Sequence, residues 1–514
     1  MAWPPLGPEL PRIHEDVLAR AWQTDPYVSD PPSVTSTIAS SLARLDAAGL
    51  AFLPGPAFVA WLSSSASAHL RKSPEEATLV YSLLALGAAV AGRGPPGDPA
   101  PEYAAVARYA ADRAPRPSLP VVQARVVLAL YYLISDARPD EAGDAGTAAT
   151  LAAMALQLNM ETDQAHDATA AAAAFPFGLD AHDYAECRRR TFWACFTLER
   201  LSGSFPFRPA VLHREDIFLR LPADDGEAFG RQTESTEPFF DASSTLPGRG
   251  MSSRGYLIQI LGVWEDVVAG IYRAAHRRPT ASGSETARRQ GIARRLDEWK
   301  RSLPARFSRE EDMGRKSPDG LGPGERASVV AMHLLYHHTA IKLHRHVRRP
   351  PAGAGAPADT EERAAAVRGH SRRILETWSW CISAGLGEPS RQHPFTSTAL
   401  VEAVDVLSAE GALSGLPALL AEMRAARSGV AGLGSVWAEA QVHGLALDRR
   451  LEVLGRVVEK GPAADDPGEG VRVWRQGSHH GGVDGTEDGL CWRLVAPLEK
   501  RFPRDMDCIY SDTL

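Results

Sequence analysis

The densest run of side chains able to ligate a metal is HLLYHHTAIKLHRH, residues 333–346. On a helix each residue turns by about 100°, so His333, His337 and His344 fall within about 40° of one face. An ion bound by imidazoles needs several ligands at about 2 Å. His344 lies about 10 Å along the axis from His337, at about 1.5 Å per residue. Only His333 and His337 can share an ion, and the intervening LLY supplies no glutamate of the H-E-x-x-H kind. The histidines therefore read as core or surface residues, and no metal or cofactor is expected. SHHGG near His479 lies in a loop and carries even less.

Nucleophiles fare no better. The five cysteines, Cys187, Cys195, Cys381, Cys491 and Cys508, form no C-x-x-C pair, and a sparse odd set suits a reducing compartment. Cys195 stands in an apolar helical run, where a thiol serves as a small filler, because reactivity needs exposure and an electropositive setting. No G-x-S-x-G elbow, phosphate-binding glycine loop or dinucleotide fingerprint occurs. No catalytic residue is assigned, and an enzyme is not expected.

The remaining chemistry is basic. CRRRTFWACFTLERL, residues 187–201, sets three arginines against aromatic and apolar residues. At about 100° per residue Arg188, Arg189 and Arg190 point three ways and cannot line one phosphate backbone. Glu186 and Arg190 have the favourable i, i+4 order. Phe192, Trp193, Cys195, Phe196, Leu198 and Leu201 cover most of the circumference, so neighbours must engulf this helix. Arg200 then needs a carboxylate, since an unpaired buried charge costs several kcal/mol. Glu215 and Asp216 are the expected partners. RRQGIARR (288–295) and HRHVRRP (344–350) are either import signals or partner surfaces, or simply solvated faces.

The elements that must position these residues are helical. VVQARVVLALYYLI (121–134) is apolar on most sides, as a central helix would be, and AGTAATLAAMALQLNM (145–160) is rich in strong helix formers. Ile292, Leu296, Trp299 and Leu303 recur at steps of four, three and four before Pro304. Alternation of strand length is almost absent. The expected fold is all-α: a single large helical body, a multi-helix array, with disordered Gly/Pro/Ser-rich surface insertions. Those insertions fall near residues 91–101, 223–253, 308–324, 350–360 and 461–486. Hydrophobic content of 44% across 514 residues permits a sizeable core, and a net charge of −7 lacks the global positive balance of a nucleic-acid-binding domain. The longest uncharged run, residues 77–92, falls short of the ~18–20 residues of a membrane span. No signal peptide is visible, and a soluble intracellular protein is expected.

RRRTFWACFTLERLSGSFPFRPAVLHREDIFLRLP, residues 188–222, resembles the signature of the fungal-specific transcription factor domain, the middle homology region of fungal zinc-cluster regulators. The matching positions are Arg190, Phe192, Trp193, Glu199, Arg200, Arg208, Pro209, Asp216, Ile217, Leu221 and Pro222, expected to act as structure. SPEEATLVYSLLALGA, LPVVQARVVLALYYL, TAATLAAMALQLNM, LDEWKRSLP and LLYHHTAIKLHRHV resemble further ordered motifs of that family, so the likeness runs from about Leu53 to Val442. Phe207, Gln157, Asn159 and His346 depart from the pattern, where the family usually has glycine, glycine, histidine and proline.

The resemblance implies a nuclear transcriptional regulator, restrained or licensed by a helical body and controlling a metabolic or biosynthetic gene set. Residues 51–460 would be the regulatory domain, 1–50 a partly ordered leader, and 461–514 a linker and tail. The family's six-cysteine cluster, which folds around two zinc ions, is not matched, since no cysteine precedes Cys187. Contact with DNA is therefore expected only indirectly or through a missing zinc cluster, by way of a DNA-binding partner or coactivator. A small-molecule effector is a further implied partner, and a membrane is not. The terminal RDMDCIYSDTL alternates acids with apolar residues, so residues 508–514 are either an activation segment or a fraying terminus. The alternative reading is a small-molecule-binding protein or enzyme on the same scaffold, or a truncated regulator.

Overall fold

The structure, a computed structural model, describes residues 13–64, 72–91, 99–135, 139–161, 175–202, 210–223, 229, 238–240, 251–276, 282–308, 322–348, 360–460, 471–475, 490–494 and 506–508. Most of the expected insertions, at 92–98, 224–228, 230–237, 241–250, 309–321, 349–359 and 461–470, lie outside the described residues, as do Arg208, Pro209 and residues 509–514.

Among the described residues the fold is all-α, with sixteen helices. The first half comprises α1 (Glu15–Trp22), α2 (Pro26–Ser29), α3 (Pro31–Ala47), α4 (Gly55–Ser64), α5 (Pro74–Ala91), α6 (Ala100–Arg113), α7 (Leu119–Ile134), α8 (Pro139–Ala155) and α9 (Ala181–Ser202). The second half comprises α10 (Ser253–His276), α11 (Ser282–Ser302), α12 (Pro323–Arg345), α13 (Thr360–Ser383), α14 (Phe395–Leu407), α15 (Leu416–Gly434) and α16 (Ala438–Lys460).

Local chemistry starts these helices. SPEE opens α5 as a capping box: Glu76 N donates to Ser73 Oγ (3.1 Å) and Ser73 N donates to the Glu76 carboxylate (2.8 Å). Asp25 and Asp30 accept the first-turn amides of α2 and α3. α5 is buried from Ala77 to Gly87, as its uncharged run predicts, and is packed by α3, α6 and α7. Gly87 is required there, because a methyl at this position would overlap the Thr37 carbonyl of α3. α7 is buried at fourteen positions and leans on α8 and α9; α10 follows against α12, and α12 against α13 and α14. One continuous core runs from Tyr27 to Val457, so the two halves share an interior.

The turn that follows α8 passes through Gln157, which sits in the left-handed region at φ 53°. Leu158 N closes the turn on the Ala153 carbonyl (3.0 Å). The family's usual glycine has a physical reason at this position, since a side chain here costs about 1 kcal/mol or more.

The segment expected to be linker and tail is partly strand. β1 (His346–Arg348) pairs antiparallel with β5 (Met506–Cys508), with His346 opposite Cys508. β4 (Leu490–Leu494) is the middle of a second antiparallel sheet, between β2 (Glu410–Ala412) and β3 (Val471–Arg475). The expectation of a bare linker over 461–486 is corrected at VRVWR. Five residues of alternation flanked by glycine and acid gain a ladder only from β4, across a long glycine-rich connection with no short turn signal to mark the pairing.

Candidate functional site

Two polar assemblies stand out inside the helical body. The first surrounds α9. Arg188 donates to the Leu156 carbonyl (3.3 Å). Arg189 clamps Glu161 through Nε and Nη2 (3.0 and 3.1 Å) and also pairs with Glu186. Arg190 pairs with Glu186 Oε1 (2.7 Å) and donates to the Ala223 carbonyl (2.8 Å). Arg189 and Arg190 are buried. The three guanidiniums therefore fasten Leu156, Glu161, Glu186 and Ala223, with Glu186 shared by Arg189 and Arg190, and form no common basic stripe.

Below them the aromatic residues are interior. Phe192 and Trp193 are buried, and the Trp193 ring centroid lies 5.2 Å from Phe196 and 5.1 Å from Phe240. Trp193 Nε1 donates to the Arg220 carbonyl (2.7 Å), which satisfies the indole in a dry setting. Gln123 of α7 donates to Cys187 Sγ (3.2 Å) and to Thr191 Oγ1 (2.9 Å). Burial pushes the thiols of Cys187, Cys195 and Cys381 up to about 12, so none is a thiolate at neutral pH.

Arg200 lies over the Phe196 ring at 3.4 Å and donates to the Leu212 carbonyl (2.8 Å) and to Glu199 (2.8 Å). Its cross-helix carboxylate is Glu265 of α10. The expected partners Glu215 and Asp216 are exposed, and this corrects the sequence reading. They follow Arg200 in a 3-10 turn on the surface, whereas Glu265 reaches it from a packed neighbour. Burial lowers the Arg200 pKa despite Glu265 and Glu199, and burial raises that of Glu265 despite Arg200. Glu199 accepts the amides of Val211 and Leu212, fixing the chain as it emerges from the Arg-Pro segment. Asp216 offers its backbone carbonyl to Asn159 Nδ2 (2.7 Å). Ile217, Leu221 and Pro222 are buried, Leu221 N donating to the Pro238 carbonyl (3.0 Å) and the Pro222 carbonyl accepting Ser252 Oγ (3.0 Å).

The second assembly joins α12, α14 and α16, and sequence reasoning missed it. Glu402 accepts Lys342 Nζ at 2.9 Å and Arg345 Nη1 at 2.6 Å. Asp405 accepts Arg345 and Arg450. Arg345 is fully buried, and Lys342, Glu402, Asp405 and Arg450 are nearly so. Burial alone would raise the Glu402 carboxyl, but Lys342 and Arg345 outweigh it and hold it below the usual range. HRHVRRP is thus no solvated basic face at its first residues, because Arg345 and His346 are interior. A signal existed: Glu402 and Asp405 are spaced i, i+3 in the otherwise apolar TALVEAVDVL. Acids three apart in TALVEAVDVL face one way into a core and need cations.

The histidines scatter. His333 Nε2 meets the Phe307 carbonyl (2.7 Å), His337 Nδ1 meets His370 Nδ1 (2.8 Å), and the His344 carbonyl accepts Arg363 Nε (3.0 Å). Burial drives His338 down to about 3 and His393 to about 4, so both stay neutral. Among the described residues no three His, Cys, Asp or Glu side chains gather to hold a metal ion, and no helix is long and apolar enough to cross a membrane.

Residues 53–301 match the profile of the fungal specific transcription factor domain. An uncharacterized transcriptional regulatory protein of Schizosaccharomyces pombe is 28% identical over 297 residues, which is 52% of this chain and 28% of that protein. The nitrogen assimilation transcription factor nit-4 of Neurospora crassa is 25% identical over 165 residues, 31% of this chain and 14% of its own length. The chain thus spans well under half of the length of either relative.

Proposed function

Because residues 53–301 are a fungal specific transcription factor domain, we propose that this chain is a transcriptional regulator whose helical body, residues 51–460, acts as the effector and regulatory unit. The family match is the observation that carries this reading. Both relatives are named as transcriptional regulators, which supports it, and regulators of this kind are not enzymes. Nitrogen assimilation in the name of one relative favours a metabolic or biosynthetic gene set as the target. The protein works in the nucleus, and it reaches promoters through a DNA-binding partner or a zinc-cluster segment. Its response is conformational: an effector or coactivator that prefers one packing of the helices shifts the balance between two.

The engulfed α9 supports a scaffold role for Arg190, Phe192, Trp193, Glu199, Arg200, Asp216, Ile217, Leu221 and Pro222. The acid-apolar terminus is the segment proposed to dock a coactivator. Residues 506–508 are already paired in β5, so docking requires that strand to release or to present the residues on its C-terminal side.

Chromatin immunoprecipitation of the tagged chain, combined with transcript profiling of a deletion strain, tests the reading. Occupancy at promoters whose transcripts change on deletion is the expected result. A deletion that leaves all transcripts unchanged under several nutrient regimes, with the chain absent from chromatin, overturns it.

A further inference from the structure

Beside α9 three short extended segments lie edge to edge. Met160 bridges Phe218 in the parallel sense, and Arg220 bridges Phe239 in the antiparallel sense. Phe218 N donates to the Asn159 carbonyl (2.8 Å), and Phe240 N donates to the Leu219 carbonyl (3.2 Å). Successive residues of such a strip point to opposite faces. Ile217, Leu219 and Leu221 are buried, so Asp216 and Phe218 project outward together. Phe218 is 54% exposed and Met160 beside it 45%. Among the described side chains no other aromatic is as open.

The open charge next to this pair is negative. Glu215 and Asp216 are exposed, and among the described residues neither carboxylate has a hydrogen bond or an ion pair. Asp216 holds Asn159 through its backbone carbonyl, so the fold uses its main chain and leaves its carboxylate spare. The nearby cations are turned in: Arg220 lies over Phe239 at 4.5 Å and Arg214 over Phe240 at 4.9 Å, both half-buried. Phenylalanine and methionine are residue types enriched where proteins meet. Glu215 is three residues from Phe218, a reach of at most about 10 Å. A lysine or arginine one helical turn, about 5.4 Å, from an apolar side chain can meet the acids while that side chain covers Phe218.

We propose that this ribbon docks a basic amphipathic helix of a partner protein. The apolar side of the helix covers Phe218 and Met160, and its lysines or arginines meet Glu215 and Asp216. A second copy of the same face is disfavoured, because self-pairing brings like charges together. Docking here does not depend on the chain acting at promoters.

The test titrates the purified full chain into a short fluorescein-labelled leucine–lysine helical peptide, read by fluorescence anisotropy. A leucine–glutamate peptide of the same pattern controls for charge, and a serine–lysine peptide controls for the apolar anchor. Saturable binding of the leucine–lysine peptide with a Kd of about 100 μM or tighter is expected. Both control peptides should bind at least about tenfold more weakly. Phe218→Ser should weaken binding at least about tenfold, as loss of a central aromatic contact does. Glu215→Gln combined with Asp216→Asn should weaken it at least about threefold and flatten its salt dependence. All three positions are exposed, and far-UV circular dichroism verifies that the variants fold.

No saturable binding, equal binding of the leucine–glutamate peptide, or binding unaltered by Phe218→Ser overturns the site. Light scattering supplies the remaining arm. A wild-type dimer that Phe218→Ser splits would make the face a contact between copies of this chain and overturn the partner assignment. Transcripts play no part in these readouts, so failure here leaves the regulatory reading standing, and failure of that reading leaves the docking face standing.

Discussion

Glu402→Gln removes one negative charge from a buried group of five charged side chains while keeping the shape of the residue. Glu402 faces Lys342 Nζ at 2.9 Å and Arg345 Nη1 at 2.6 Å, with side-chain exposures of 8%, 6% and 0%. At an effective dielectric of about 20, one such pair represents about 6 kcal/mol of gross attraction. Relaxation and water entry return part of this, and breaking a buried pair leaves a loss of about 3–5 kcal/mol. That is a large share of the ~5–15 kcal/mol by which folded proteins are stable. Lys342→Met should cost less, because Glu402 keeps its pair with Arg345. The double variant should be less damaged than the sum of the singles, with a coupling of at least about 1.5 kcal/mol, since the buried Lys342 charge that loses Glu402 is then gone too. Arg345 stays paired with Asp405 in all three variants. Urea unfolding followed by far-UV circular dichroism at neutral pH gives the four corners of this cycle. Additivity within about 0.5 kcal/mol, the level seen for independent sites, would refute the reasoning, as would a Glu402→Gln protein as stable as wild type.

Three further outcomes can be measured. Gln157→Gly should raise stability by about 1 kcal/mol in the same urea assay, because it relieves a side chain held at φ 53°. Cys187, Cys195 and Cys381 should resist iodoacetamide in the folded protein at pH 8 and react fully in guanidinium, read by peptide mass spectrometry, since burial hides them and holds their thiols near 12. Stability should fall as pH drops below about 6.5, where the unfolded chain protonates His338 and His393 while the folded one does not. Each then contributes a slope of about 1.4 kcal/mol per pH unit, down to about 4 for His393 and about 3 for His338. His393→Gln should make the pH dependence shallower over pH 4–6; an unchanged slope counts against a neutral buried imidazole.

Helices were the most readable part of the sequence because each is encoded within itself. The stripe Ile292, Leu296, Trp299 and Leu303 is buried on α11 and in the turn that ends it, and SPEE starts α5 through its own side chains. The Glu186–Arg190 pair is legible for the same reason, four residues being one helical turn. What spacing could not supply was the identity of distant neighbours. Arg200 plainly needs an acid, but Glu265 is brought to it only by the packing of α10 on α9. Strands β4 and β5 are short segments that pair with β2 and β1, far earlier in the chain, and β3 depends on β4, so the local pattern reads as linker. The close approach of Arg288 to α10 at Gly270 likewise exists only once α11 packs on α10.

The shared interior has a practical corollary for anyone cutting the gene. The family match stops at residue 301, one position short of the end of α11, yet Trp264 of α10 rests on His338 and Phe395 from beyond that point. A recombinant fragment trimmed to the recognised boundaries would uncover Trp264 and the face of α10 that α12 packs, at a loss of about 1.5–3 kcal/mol for each large apolar side chain exposed, and would collect in inclusion bodies. The stretch that carries the family's mark is shorter than the stretch that can fold.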